Sequence, residues 1–121
     1  MVNGMKIVTA FLSECGGKKQ NDDTVSIMQQ EDRTGIFVGD GLGGYAGGKM
    51  ASKAAADVFL KKVESGNILM EEDLFQAVET ADEVIKEMQK ASRGRMKTTV
   101  VFLAIEGKRA RWIHVGDSRL Y

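Results

Sequence analysis

Apolar positions along the chain change period twice, and each change marks a change of backbone. Residues 6–13 alternate weakly through Ile7, Val8, Phe11 and Leu12 and predict a first strand. Thr24-Val25-Ser26-Ile27-Met28 alternates with Val25 and Ile27 apolar, and Ile36-Phe37-Val38 is a short continuous run, so two more strands follow, joined by a turn across Glu31-Asp32-Arg33-Thr34-Gly35. The spacing then lengthens. Between 46 and 64, Met50, Ala54 and Val58 recur at four-residue steps beside Ala51, Ala55 and Phe59, the stripe of a helix whose alanines allow close packing on a sheet. Gly66-Asn67 ends it. A second helix is predicted over 71–91, with Leu74, Val78, Ala81, Ile85 and Met88 on one stripe and Gly94 closing it. That stripe covers too few heptads for a coiled coil, so it predicts core packing. Residues 99–105 and 109–115 return to short apolar runs and form a hairpin across Glu106-Gly107-Lys108.

The order strand-strand-strand-helix-helix-strand-strand, followed by the start of another strand, predicts an α+β fold, with antiparallel sheets and two packed helices. No repeat, low-complexity linker or proline interrupts it, so residues 1–121 are expected to form one unit. At this length a chain buries roughly two-thirds of its unfolded surface, enough for a small core.

The predicted chemistry gathers at strand ends. Val38-Gly39-Asp40-Gly41-Leu42-Gly43-Gly44 places one carboxylate at the mouth of an apolar strand and surrounds it with glycines, which let ligand atoms approach the backbone. Asp40 with the Gly41 carbonyl offers a hard cation two oxygen donors side by side. Alone, such an Asp-Gly pair is more often a turn. Two further acidic strand ends change that balance: Asn21-Asp22-Asp23 before the strand at 24, and Gly116-Asp117-Ser118-Arg119 after the last one.

In order and spacing, Asn-Asp-Asp, Gly-Asp-Gly-Leu-Gly-Gly, Thr98-Thr99 and Gly-Asp-Ser-Arg resemble the metal-dependent Ser/Thr protein phosphatases of the PPM (type 2C) family, over residues 14 to 121. The resemblance implies a partial α-β-β-α sandwich and hydrolysis of phosphoserine or phosphothreonine in a phosphorylated protein substrate. It implies two Mn2+ or Mg2+ ions with a third, weaker one. Asp40 matches the carboxylate bridging the two catalytic metals, Gly41 the carbonyl donor, Asp22 the acidic residue acting through water, and Asp117 a ligand of the third metal. Asp23 matches a position that orders the loop, and Lys18 stands where the family usually places an Arg that clamps phosphate. Lysine is a compact point charge without the bidentate fork, which weakens orientation more than attraction; Lys19 can share the role. Leu42 stands where some members carry a His, so no His general acid acts there.

The family's catalytic domain is longer, and its C-terminal part supplies two more aspartates that this sequence does not contain after Tyr121. The expectation is therefore an N-terminal portion, inactive or weakly active alone. A noncatalytic phosphate-binding or regulatory module, or a half-domain completed by another chain, are the alternatives. An uncovered sheet face and edge predict self-association.

Composition removes other classes. Seventeen basic and seventeen acidic residues cancel, so nucleic acid and anionic membranes are not expected partners. No apolar run reaches the ~18 residues of a membrane helix and the N-terminus lacks a signal-peptide plan, which predicts a cytoplasmic protein. Cys15 is the only cysteine, excluding an internal disulfide and thiolate metal sites. His114 reads as a solvated residue on a sheet face, Trp112 as a packing anchor, and the seven Met residues as core filler. Lys49, Lys53, Lys61 and Lys62 read as the solvated side of the first helix, and Arg93, Arg95 and Lys97 as weak electrostatic steering for an anionic substrate.

Overall fold

The computed structural model describes residues 22–43, 47–66, 68, 70–92 and 94–116. Two antiparallel strands come first, β1 Asp23–Gln30 and β2 Arg33–Gly43. Two helices follow, α1 Gly47–Ser65 and α2 Glu71–Ser92, then β3 Met96–Thr98, β4 Val100–Glu106 and β5 Arg109–Val115. The predicted strand at 6–13 lies outside the described residues.

The strands form one five-stranded antiparallel sheet in the order β1-β2-β4-β5, with β3 paired to the far end of β2. This is the expected α+β class. The β1–β2 turn is confined to Glu31 and Asp32, where Glu31 has φ +57°; Arg33 to Gly35 belong to β2 and not to the turn as predicted. The strand predicted at 99–105 is β4, and a short strand not predicted, β3, precedes it across Thr99.

Strand alternation explains the layers. Phe37 and Phe102 are register partners on one face of the sheet, and Phe59 of α1 is inserted between them, with ring centroids 5.8 Å from Phe37 and 4.8 Å from Phe102. All three are fully buried, and Ala51, Ala55 and Ala56 bring the α1 backbone close enough to the sheet for that contact. Leu74, Ala77, Ala81 and Ile85 bury one side of α2 against the same core. The α1 stripe is rotated slightly from its predicted place, because Met50 is 44% exposed while Ala51 and Val63 are buried. At the C-terminal end of α1, Arg33 donates from Nε to Val63 O at 2.8 Å and from Nη2 to Glu64 O at 3.2 Å. A cation there satisfies two orphan carbonyls and complements the helix dipole. Gly66, with φ +85°, ends the helix as expected.

The opposite sheet face carries Val25, Ile27, Ile36, Val38, Leu103 and Trp112, paired across the strands as Val25–Val38, Ile27–Ile36, Ile36–Leu103 and Leu103–Trp112. None of these six belongs to the core cluster formed with the helices. Trp112 is 60% exposed, so it does not anchor that core as predicted. His114 is exposed, in line with a solvated sheet-face residue. Among the described residues, no helix is long and apolar enough to cross a membrane.

Candidate metal centre

Three of the predicted acidic residues, Asp22, Asp23 and Asp40, lie around the paired ends of β1 and β2. Asp40 is the register partner of Asp23, and the two residues share a face of the β1–β2 ladder. Like charges placed opposite each other on a sheet repel, a cost that a cation near the pair offsets. Asp22 lies one residue earlier, in the other alternation phase, and its carboxylate is directed to the first turn of α1. A Cβ placed on Gly48 would stand 2.9 Å from Asp22 Oδ2 and 2.8 Å from the Gly41 carbonyl carbon. Asp22 Oδ2 and the Gly41 carbonyl carbon thus border one small space beside Gly48. The first turn of α1 carries no acidic residue of its own, so the Asp22 carboxylate supplies negative charge to the positive end of that helix.

The close approach depends on the glycines. A Cβ on Gly41 would lie 1.9 Å from Gly48 O and 2.7 Å from Asp22 O, both backbone atoms that cannot turn away. These residues serve the contact through their missing side chains, and neither has a positive φ in the structure.

Three residues that sequence reasoning gave no site role hold this corner together. Ser52 Oγ donates to Asp22 O at 2.8 Å and lies 2.6 Å from Thr24 Oγ1, with both hydroxyls buried. Lys49 Nζ donates to Asp23 O at 2.6 Å. Lys49 is therefore half-buried and engaged, a correction to its reading as solvated surface; Lys62 is also half-buried, whereas Lys53 and Lys61 are exposed as expected. The third residue is Thr99. Its N–H donates to Asp40 O at 3.0 Å, and its Oγ1 accepts from the Asp40 N–H at 3.0 Å. Thr99 thus pins both backbone polar groups of Asp40 at the break between β3 and β4. The Thr98-Thr99 block was visible in the sequence, but its partner is 59 positions away.

Lys18 and Asp117 lie outside the described residues; of the predicted set, Asp23 and Asp40 are paired across the strands and Asp22 lies against Gly41. Among the described residues no group of three or more His, Cys, Asp or Glu side chains forms a ready metal cage. Asp22, Asp40 and the Gly41 carbonyl would offer only oxygen donors, a chemistry that suits Mg2+ or Mn2+ rather than a thiolate- or imidazole-loving metal.

A family model described as Protein phosphatase 2C matches residues 13–121. A predicted protein phosphatase of Mycoplasma pneumoniae is 33% identical over an alignment of 127 residues, covering 93% of this chain and 49% of that protein. The Mycobacterium tuberculosis serine/threonine phosphatase PstP/Ppp superposes with a TM-score of 0.69 at 26% identity, over 84% of this chain and 43% of the other. The catalytic domain of PstP in complex with two manganese ions gives a TM-score of 0.69 at 25% identity, over 84% and 44%. The chain spans about half the length of these relatives.

Proposed function

Because the chain belongs to the protein phosphatase 2C family, we propose that it carries the N-terminal part of a metal-dependent phosphatase that acts in the cytoplasm on phosphoserine and phosphothreonine in proteins. The observation that supports this reading is the corner described above, where Asp22 and Gly41 meet at the start of α1, with Asp40 next to Gly41 in β2 and paired with Asp23. Asp40 and the Gly41 carbonyl would hold the metals directly, Asp22 would hold one through water, and Asp23 would order the loop opposite Asp40. Asp117 would serve a third cation. Mn2+ or Mg2+ bound there would supply Lewis acidity for the hydrolysis of the phosphate ester. The chain's own residues do the rest. Lys18 attracts the phosphate as a point charge, Thr99 keeps the Asp40 backbone in place, and Ser52 and Lys49 hold the Asp22–Asp23 segment against α1.

With few carboxylates available, the 121-residue chain is expected to bind Mn2+ at the millimolar rather than micromolar level, because affinity falls as charged ligands are removed. Calorimetry checks it. Loss of the binding in Asp40→Asn supports the assignment, and a tight two-site isotherm for the chain alone overturns it.

A second property follows from the apolar sheet face. Val38 and Trp112 are 37% and 60% exposed there, beside Ile27, Ile36 and Leu103. A second copy that lays the same face against this one would remove that surface from water, and twofold pairing is the commonest arrangement. The isolated chain is therefore expected to be dimeric or larger by light scattering. A stable monomer across a hundredfold dilution series refutes this.

A further inference from the structure

Beside the candidate metal centre lies a basic depression with an apolar side. It has a volume of about 590 Å3 and is lined by Leu42, Gly43, Gln89, Arg95, Met96 and Lys97. That volume falls within the range of sites that hold a small ligand or a short peptide segment. Three features make it more than a gap between elements. First, the groove is fixed by pairing: Leu42 and Gly43 of β2 are the register partners of Lys97 and Met96 of β3, and Gln89 Nε2 of α2 donates to Met96 O at 2.9 Å. Second, it is locally cationic on a chain whose total charge is zero. Among the described residues, Arg95 and Lys97 are exposed and neither takes part in an ion pair, whereas nearby Lys86 is held by Asp82 at 2.8 Å. Third, Leu42 is 60% exposed, an aliphatic side chain presented at the groove.

Position gives the groove its meaning. Leu42 follows Asp40 by two residues in one strand, a rise of roughly 7 Å at about 3.4 Å per residue. An extended substrate segment covers a similar distance in two residues. A peptide whose phosphorylated side chain reached the Asp22–Asp40 corner would therefore lay its next few residues over Leu42, Lys97 and Arg95.

We infer that this groove docks the segment flanking the phosphorylated residue of the protein substrate, and that it selects a flank with an acidic side chain beside an apolar one. The acidic group pairs with Arg95 and Lys97, and the apolar group rests on Leu42. This rests on the phosphatase reading above and adds to it the class of sequence that the site accepts. Arg95 is the stronger determinant, because its guanidinium can grip a carboxylate with two parallel hydrogen bonds. The selection is electrostatic at an exposed surface, so it weakens as salt rises.

The test is fluorescence anisotropy with labelled phosphothreonine peptides that differ only in the flank, Asp-Leu or Lys-Leu, together with an unphosphorylated Asp-Leu peptide. The expected result is at least tenfold tighter binding of the acidic flank by the 121-residue chain, with the preference reversed in Arg95→Glu/Lys97→Glu. Both residues are exposed, and circular dichroism verifies that the variant keeps its fold; Arg95→Ala/Lys97→Ala should erase the preference without reversing it. Leu42→Ser should weaken the Asp-Leu peptide severalfold and leave an Asp-Ser peptide unchanged. Equal binding of the two flanks, or a preference that survives charge reversal, overturns the inference. If the flank preference holds while the phosphate makes no difference, the groove stands and phosphate recognition by this chain fails, so the two readings are separated.

Discussion

Gly41→Ala is expected to destabilise the chain by about 3 kcal/mol, the upper part of the usual range for forcing a methyl group into a packed site. The added carbon would meet Gly48 O at 1.9 Å, Gly48 C at 2.5 Å and Asp22 O at 2.7 Å. All three are main-chain atoms, so relief requires moving the N-terminus of α1 away from β2. That movement draws Asp22, held by Ser52 of α1, away from Gly41, so metal binding should be lost together with stability. A urea midpoint lowered by about 2 M, for a slope near 1.5 kcal/mol per M, is the expected reading. An unchanged midpoint with intact Mn2+ binding would show that α1 does not press on β2 as described.

Phe59→Ala should cost more, about 4 kcal/mol, as is usual when a fully buried aromatic is reduced to a methyl group. Its ring packs between Phe37 of β2 and Phe102 of β4, tilted 42° to each, and so joins α1 to the two central strands. Domains of this size are stable by only about 5–15 kcal/mol, so one such loss removes a large share of the total. Phe59→Leu keeps most of the volume and should recover more than half of the deficit. Thermal or chemical denaturation decides. A cost below 1 kcal/mol in Phe59→Ala would place the core elsewhere. The Asp40→Asn variant offers a useful contrast, since Asp40 is exposed and its loss should affect cation binding far more than the denaturation midpoint.

Much of the fold was legible because its signals are local. The α2 stripe of Leu74, Ala81 and Ile85 is set by a period of 3.6, and the structure buries those residues. The last strand was predicted at 109–115 and is Arg109–Val115. The glycines around Asp40 and the paired Asp22-Asp23 were visible as strand-end chemistry, and their order identified the family that the comparison then showed.

What could not be read came from contacts distant in sequence. Alternation shows that Trp112 lies opposite Ile113 on its strand, but not which face the helices cover; α1 and α2 chose the face of Phe37 and Phe102 and left Trp112 exposed. Lys49 looked like any lysine on a solvated helix until its ammonium met Asp23 O, 26 positions earlier. Thr99 looked like part of a strand until it closed two hydrogen bonds with Asp40. Local spacing therefore determined the elements and the acidic strand ends, since periodicity and glycine placement act within a few residues. Only the tertiary structure decided which backbone holds Asp22 and Asp40, which sheet face stays open, and where the basic groove lies. Those depend on how helices and strands dock, and docking is governed by steric fit between segments that no short stretch of sequence contains.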